Sequence, residues 1–246
     1  MPLDADTRLR DRAARLNDGY RHHSAVAVMS RALDDPEVGP VALVSSFGAE
    51  SVVLLHMLSV MDRHRPVLFL ETGMLFPETL VYQREVADRL GLTDVRLIRP
   101  DPADLFAADP EGDLNGRDPD ACCAIRKTAP LERALAPFDA WLTGRKRFQG
   151  GRRAALEFFE AGEGKLKVNP LAHWEPSDVA DYMTNNRLPR HPLVAQGYPS
   201  IGCAPCTSKV APGEDPRAGR WRGREKTECG IHFVNGRMVP AATVAS

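Results

Sequence analysis

The sequence predicts an α/β protein with a doubly wound, mostly parallel sheet, followed by an irregular C-terminal tail. Three observations lead to this fold class. From residue 40 to residue 186, short apolar runs alternate with longer helical patterns, as is typical of parallel sheets. The chain has 246 residues, 43% of them hydrophobic, which suffices for one large core. After residue 186 the periodicity ends, and proline, glycine and arginine become frequent.

The predicted elements follow in chain order. Apolar residues at helical spacing between residues 7 and 34 indicate one or two helices that pack on the core. Pro77 and Gly91 mark the start and the end of a later helix, and Pro130 predicts a kink or a restart in another. The pattern predicts strands at 40–47, 66–72, 94–100, 139–144 and within 165–174, and helices at 50–61, 77–91, 124–135 and 176–186.

The charge balance gives no support to a nucleic-acid-binding or membrane-binding protein. Lys and Arg number 32 and Asp and Glu 33, so a nucleic acid or a membrane surface finds no net positive charge. No apolar run approaches the length of a bilayer span, and the first residues lack the apolar core of a signal peptide. We therefore expect a cytoplasmic protein. In that reducing compartment, five cysteines favour metal ligands or reactive thiols over disulfides.

The turn SSFGAES at 45–51 joins the first predicted strand to a helix. Backbone N–H groups at a helix N-terminus attract anions. Ser46, Gly48 and Ser51 are small or polar, so an anion can approach closely. The turn matches neither the Walker P-loop nor G-x-G-x-x-G. The alternative is an ordinary turn with a serine cap.

Two further loops are expected at the same edge of the sheet, because they also follow strands. ETGMLFPET at 71–79 places Thr72 and Gly73 after the second strand, and the basic loop TGRKRFQGGRR at 143–153 follows the fourth. One basic loop alone is usually a solvated surface. Three loops together favour an anion site.

The cysteines form two groups. Cys122 and Cys123 are adjacent, and Cys203 and Cys206 form a C-x-x-C motif. Four thiolates suit zinc or an iron–sulfur cluster. Adjacent residues reach two corners of a cubane more easily than they surround one ion, which favours the cluster. A structural zinc site or a redox pair is the alternative.

The fifth cysteine, Cys229, lies in the tail motif KTECGIH, close to Lys226 and His232. Nearby positive charge favours the thiolate form of a cysteine, so this is the profile of a nucleophile or a redox thiol. An exposed cysteine without a role is the alternative. The tail also carries arginines that suit either a solvated stretch or a tail that closes over an anionic nucleotide; they are Arg217, Arg220, Arg222 and Arg224.

The motifs CCAIRK, CAPC and ECGIH, in this order, resemble the assimilatory adenylylsulfate (APS) reductases of the sulfonucleotide reductase family. SSFGAES, ETGMLFPET and TGRKRFQGGRR resemble the nucleotide-binding loops of that family. The resemblance covers residues 40–232. It implies an adenine nucleotide α-hydrolase-like fold, which is shared with the ATP pyrophosphatases.

The resemblance also implies an activity, the thioredoxin-dependent reduction of APS to sulfite and AMP in sulfate assimilation and cysteine biosynthesis. Cys229 is then the nucleophile that forms a thiosulfonate, and reduced thioredoxin or a similar dithiol releases sulfite from it. A [4Fe-4S] cluster is implied on four ligands, Cys122, Cys123, Cys203 and Cys206. A homo-oligomer is left open.

The resemblance also implies substrate-binding residues, which are the residues of this sequence at the matching positions of the family motifs. Lys127 is expected between cluster and substrate, and the tail residues are expected at the phosphate and sulfate. The full expected set is Ser46, Gly48, Glu50, Ser51, Thr72, Gly73, Lys127, Gly144, Arg153, Arg217, Arg220 and His232. The implied organisation is a nucleotide- and cluster-binding α/β domain at 1–210 and a tail at 211–246 with the catalytic cysteine.

One departure from the family pattern bears on the chemistry. The pyrophosphatase-like turn often reads S-G-G-x-D-S, whereas Phe47 replaces a glycine here and Glu50 the acid. This disfavours ATP pyrophosphate chemistry and suits a ligand with a single phosphate.

Three alternatives to an APS reductase stay open. Reduction of the 3′-phosphorylated nucleotide (PAPS) is the first. Enzymes restricted to PAPS generally lack the cluster cysteines, but some cluster-bearing members accept both. A zinc-stabilised nucleotide-binding or RNA-modifying module is the second. A nucleic-acid binder is the third and the weakest, because the net charge is −1.

Overall fold

The computed structural model describes residues 4–162, 164–226 and 228, and the backbone of 233–234 and 237–238. Its main sheet has six strands in the order β3-β2-β1-β4-β6-β5. Only the β5–β6 pair is antiparallel, which confirms the predicted fold class. The strands are β1 (Val41–Ser45), β2 (Val67–Leu70), β3 (Val95–Ile98), β4 (Ala140–Leu142), β5 (Phe159–Gly162) and β6 (Lys165–Val168), and a separate hairpin pairs β7 (Phe233–Val234) with β8 (Arg237–Met238).

The α-helices of the described residues are α1 (Ala5–Tyr20), α2 (Ala25–Asp34), α3 (Ser51–Asp62), α4 (Pro77–Leu90), α5 (Pro102–Ala108), α6 (Leu114–Arg117), α7 (Pro119–Cys123), α8 (Ala129–Leu135) and α9 (Pro176–Asn185). The region 7–34 forms two helices because Ser24 starts the second, its hydroxyl accepting from the Ala27 N–H at 3.2 Å. None of the helices within this part of the chain is long and apolar enough to cross a membrane.

Both faces of the sheet are covered, as a doubly wound fold requires. Val41 and Leu43 of β1 pack in the larger core cluster with α3, which is buried almost all round, as predicted. Ala42, between them, points to the opposite face and packs in a second cluster with Leu135 of α8. This alternation follows from the two-residue period of a strand.

The strand order creates the crevice that positions the site. β1 pairs with β2 on one side and with β4 on the other. The chain leaves β1 toward β2 and β3 and later returns to the other side, so the order reverses next to β1. In open parallel sheets, ligands bind at the carboxyl ends of the strands at such a switch point.

The predicted helix at 124–135 begins earlier than expected and is not regular. The chain is already helical at α7, and a π-helical turn at Ala124–Thr128 joins α7 to α8. Pro130 has no N–H to donate and crowds the preceding turn, so the wider turn before it relieves the conflict. Wide turns of this kind are often found at functional sites.

Strand β5 was not predicted, because it is short and contains a glycine that breaks the pattern. It lies at the edge of the sheet, where a side chain of α1 takes the place of a neighbouring strand. Asn17 accepts from the Phe159 N–H and donates to the Phe159 C=O, both at 2.8 Å. The predicted domain division at residue 210 stays a prediction.

His191 ties the segment after α9 to α4. The ring is buried, its Nδ1 accepts from the Leu193 N–H at 3.2 Å, and its Nε2 lies 3.0 Å from the Thr79 hydroxyl. Because Nδ1 accepts, the proton is assigned to Nε2. Burial lowers the pKa of His191 to about 4, since an apolar surrounding disfavours the charged ring.

We expect the free energy of unfolding to fall as the pH drops from about 6.5 to about 4. The unfolded chain takes up a proton there that the folded ring refuses. Urea unfolding at several pH values measures this, with His191→Gln removing the contribution. The exposed His22→Gln is the control and should keep the wild-type slope. Equal slopes in wild type and His191→Gln would contradict the argument.

Candidate active site

A cavity of about 550 Å³ lies at the carboxyl ends of β1, β2 and β4. Its walls are the turn after β1, the loop after β4, the π turn, and the segments around residues 200 and 217. The volume is that of a site for a small organic ligand. The structure brings most of the expected substrate-binding residues to this cavity, namely Ser46, Gly48, Glu50, Ser51, Thr72, Lys127, Gly144, Arg153, Arg217 and Arg220.

Three expected site residues are not found there. Gly73 does not line the cavity; its φ of +72° is the left-handed conformation that glycine favours, and its N–H donates to Glu71 Oε1 at 2.7 Å. It shapes the turn after Thr72, and its expected substrate contact stays a prediction. Cys229 and His232 lie outside the described residues. Of the other tail arginines, Arg222 pairs with Glu214 at 2.9 Å, away from the cavity.

The β1–α3 turn is held by a buried ring. Phe47 adopts a φ of 48°, which is uncommon for a residue with a side chain. Its ring is buried and packs edge-on against Phe69, with centroids 5.0 Å apart. Its N–H donates to the Ser45 hydroxyl at 3.1 Å, and the Gly48 N–H donates to the Ser51 hydroxyl at 3.0 Å. The packing of the ring offsets the strain at a position where related turns have glycine.

Lys146 is a site residue that the sequence did not single out. Its side chain is 3% exposed, lines the cavity, and pairs with Glu50 through Nζ and Oε2 at 2.6 Å. Burial lowers the pKa of Lys146, and the Glu50 carboxylate opposes that shift. The pair links the loop after β4 to the turn after β1. Nothing in the basic run TGRKRFQGGRR marks the lysine as the side chain that turns inward.

The structure brings predicted ligand cysteines of two separate segments near one another, since Cys203 and Cys206 both act on the thiol of Cys122. Cys122, Cys123 and Cys203 are buried, and Cys206 is half-buried. Burial raises the pKa of the Cys122 thiol, and Cys203 and Cys206 are near enough to raise it further. The Cys203 Sγ lies 3.2 Å from the Thr72 hydroxyl, and Cys203 also lines the cavity. The thiol site and the cavity therefore share a wall.

The four cysteines offer sulfur ligands for a metal cofactor. Within the described part of the chain, no three His, Cys, Asp or Glu side chains are arranged to hold a single metal ion. Three buried cysteines and the half-buried Cys206 together supply four thiols, the donor set of [4Fe-4S] clusters. A cubane is a larger body than one ion, so its ligands stand farther apart.

Arg126 joins this thiol site to the loop after β2. It is buried in the π turn, between Cys123 and Lys127. Its Nη1 donates to the Thr72 C=O at 3.0 Å, and its Nη2 pairs with Asp109 Oδ2 at 2.6 Å. The Arg126 guanidinium keeps the pKa of Asp109 below its usual value against the opposing effect of burial. Lys127 is buried and lines the cavity from the same turn.

The tail supplies part of the cavity wall, including Arg217, Arg220 and Trp221. Arg220 lies over the Trp221 ring, with its guanidinium 4.5 Å from the ring centroid. It passes so close to Gly202 that a side chain at that position would overlap the guanidinium. Lys226 is buried against the start of α7, where it donates to the Pro119 C=O at 3.2 Å and pairs with Asp120.

Glu228 is a second residue that the sequence did not single out, and it lines the cavity. Its two carboxylate oxygens accept from Arg153 Nε and Nη2, each at 2.6 Å. Arg217 Nη2 lies 3.6 Å from the same carboxylate. The tail residue just before Cys229 is thus an acid held by two of the expected substrate-binding arginines.

Residues 40–209 match the family model of the phosphoadenosine phosphosulfate reductase domain. The chain belongs to this family. It is similar to the adenosine 5′-phosphosulfate reductase of Mesorhizobium japonicum, with 51% identity over 230 residues, 94% of this chain and 91% of that relative. The predicted resemblance to the APS reductases of the sulfonucleotide reductase family is confirmed at this level.

Solved structures of family members and more distant proteins share the fold. The phosphoadenylyl-sulfate (PAPS) reductase from Candida auris, a phosphate complex, is 26% identical with a TM-score of 0.67, covering 85% of this chain and 99% of that one. An FMN adenylyltransferase from Candida glabrata has a TM-score of 0.53 at 14% identity, covering 89% and 83% of the two chains. The adenine nucleotide α-hydrolase-like fold is therefore confirmed.

We expect Lys146→Ala to weaken AMP binding about tenfold or more, the loss of one charge-assisted contact. The substitution also leaves the Glu50 carboxylate, which lines the cavity, without its cation and so adds repulsion toward an anion. Isothermal titration with AMP measures the affinity, and a thermal melt shows that the variant is folded. Lys209→Ala, an exposed lysine outside the cavity, is the matched control. Unchanged affinity in folded Lys146→Ala protein would refute the role.

Proposed function

We propose that this chain reduces adenylylsulfate to sulfite and AMP, with thioredoxin or a similar dithiol as the electron donor, in sulfate assimilation and cysteine biosynthesis. The observation that carries the proposal is the cavity at the switch point of the sheet. Cations of four separate segments reach it, and a tail residue next to Cys229 in the chain lines it. A relative 51% identical over nearly its whole length bears the name of this activity.

The cavity suits a ligand with a nucleoside and two adjacent anionic groups. The Ser46–Ser51 turn and Thr72 offer small and polar groups near the carboxyl ends of the strands. Lys127, Arg153 and Arg217 bring positive charge from the π turn, the loop after β4 and the tail. We assign the phosphate and sulfate groups of the substrate to these cations, which offset the repulsion between an incoming thiolate and an anionic sulfate.

The proposed reaction starts with Cys229 as a thiolate. Its sulfur attacks the sulfur of the substrate's sulfate group, the bond from that sulfur to the phosphate oxygen breaks, and AMP leaves with the electron pair. The product on the protein is a thiosulfonate, Cys–S–SO₃⁻. A thiolate of the dithiol then attacks the Cys229 sulfur, and sulfite leaves with the bonding pair. The second thiol of the donor resolves the mixed disulfide, so the dithiol supplies both electrons.

We further propose that Cys122, Cys123, Cys203 and Cys206 hold a [4Fe-4S] cluster. The four-cysteine donor set and the electrostatic effect of Cys203 and Cys206 on the Cys122 thiol support it. Because the dithiol already supplies both electrons, a cluster held by these cysteines would contribute structure and an electrostatic field rather than reducing equivalents. Thr72, which borders the cavity and contacts the Cys203 thiol, and Lys127, which lines the cavity from the turn that follows Cys123, would transmit that field to the substrate.

Reduction of PAPS is the second candidate. The similarity to the Candida auris structure favours it, because that protein is a PAPS reductase. The cysteine pairs favour APS for this chain. Comparison of kcat/KM for the two nucleotides decides between them, and a ratio in favour of PAPS would overturn the assignment.

Cys229→Ser should abolish the first half-reaction and leave nucleotide binding intact. With APS and no reductant, wild-type protein should release one equivalent of AMP and gain the mass of a sulfonate on the peptide that contains Cys229. The variant should do neither, although its AMP affinity should stay within about threefold of wild type. Addition of dithiothreitol should remove the adduct from wild type. Turnover by the serine variant would rule out this nucleophile.

Protein purified without oxygen should be brown, with about four irons and four acid-labile sulfides per chain. Cys206→Ser should lose most of this iron, because one ligand is missing. Lys127→Ala should keep the iron while its turnover falls about tenfold or more, since the residue acts on substrate charge. A colourless protein with bound zinc would overturn the cluster and favour the nucleotide-binding module.

A further inference from the structure

The contact between Glu228 and Arg153 is built as a clamp. Two parallel N–H···O bonds of 2.6 Å join the carboxylate to the side edge of the guanidinium. Both side chains are only 16% exposed, so solvent screens the pair weakly. Bidentate pairs of this kind fix orientation as well as distance. An exposed ion pair held by a single hydrogen bond fixes neither the orientation nor the distance of its side chains.

The base of the clamp is itself fixed. Arg153 Nη1 also donates to Gln149 Oε1, and the same oxygen accepts from the Lys146 N–H at 3.2 Å. Arginine has five N–H donors, so these bonds do not exhaust its capacity to bind an anion in the cavity that it lines. The clamp and substrate binding are therefore compatible on one guanidinium.

A second attachment lies two residues earlier in the tail. Lys226 is buried and pairs with Asp120 at the start of α7. Without Glu228, the tail is held by this lysine, three residues before Cys229. With Glu228, the attachment is at the residue that precedes the cysteine. Each residue of tether adds up to about 3.5 Å of reach, and loss of the clamp moves the last attachment from one residue before Cys229 to three residues before it.

We infer that Glu228 is a positioning residue for the reaction of Cys229. Its carboxylate clamps the tail to Arg153 and thereby sets the place from which the thiol attacks. The inference rests on the proposed function of Cys229. Since reacting groups misplaced by about 1 Å can lose about a hundredfold in rate, the clamp affects kcat rather than substrate affinity.

The test compares Glu228→Gln with Glu225→Gln. Glutamine keeps the shape of the side chain and removes its charge, and Glu225 is an exposed acid of the same tail. For Glu228→Gln, kcat should fall about tenfold or more, while KM and the dissociation constant of AMP stay within about threefold of wild type. Glu225→Gln should match wild type.

A readout that does not use the reaction separates this inference from the proposed function. The rate at which iodoacetamide alkylates Cys229, followed by peptide mass, should rise about tenfold in Glu228→Gln, because an unclamped thiol is more accessible. R153E and E228R should each show the faster rate, and the double variant should return toward wild type, since it restores an opposite-charge pair.

Several outcomes would overturn the inference. Alkylation and kcat equal in Glu228→Gln and Glu225→Gln would show that the clamp has no role. Much tighter AMP binding with unchanged kcat would show that Glu228 only competes with the ligand for Arg153. If the increases in alkylation rate caused by R153E and E228R simply add in the double variant, the two side chains do not act as a pair. If Cys229 is alkylated faster in Glu228→Gln than in wild type but wild type does not turn over APS, the clamp is supported and the proposed function fails.

Discussion

One buried cation connects the separate parts of this site. Arg126 bonds the Thr72 C=O and Asp109, and it stands between the adjacent cysteines and Lys127 in the π turn. The loop after β2, the thiol site and one wall of the cavity are therefore fixed relative to each other. Removal of the Asp109 carboxylate would leave a buried charge without its counterion, which is far more costly than the loss of an exposed pair.

The cavity combines positive charge with acids that neutralise part of it. Lys146 faces Glu50, and Arg153 faces Glu228. Such pairs keep long basic side chains ordered in the absence of a ligand, so little reorganisation is needed when an anion binds. Because the acids neutralise part of the positive charge, they also weaken the binding of anions that lack the matching shape and hydrogen-bonding groups. Selection then depends on the shape and the donor geometry of the site as well as on its charge.

Sequence patterns predicted the order of the main elements because burial on both faces gives parallel strands continuous apolar runs. The motifs placed the cation-rich loops at one edge of the sheet for the same topological reason. Pro130 predicted a kink or a restart in this helix, but nothing in the sequence indicated that the irregularity takes the form of a π turn at Ala124–Thr128. Lys146 and Glu228 could not be distinguished from neighbouring charges, because only the tertiary fold turns them inward.

The two hydrogen bonds between Asn17 and Phe159 protect the chain against self-association. β5 is an outer strand, and an outer strand with open N–H and C=O groups is a template for pairing with another molecule. The amide of Asn17 occupies those groups at Phe159. A chain that lacks α1 would expose the edge of β5 and the apolar surface that α1 covers. We expect such a chain to precipitate through strand pairing before the cavity itself is affected.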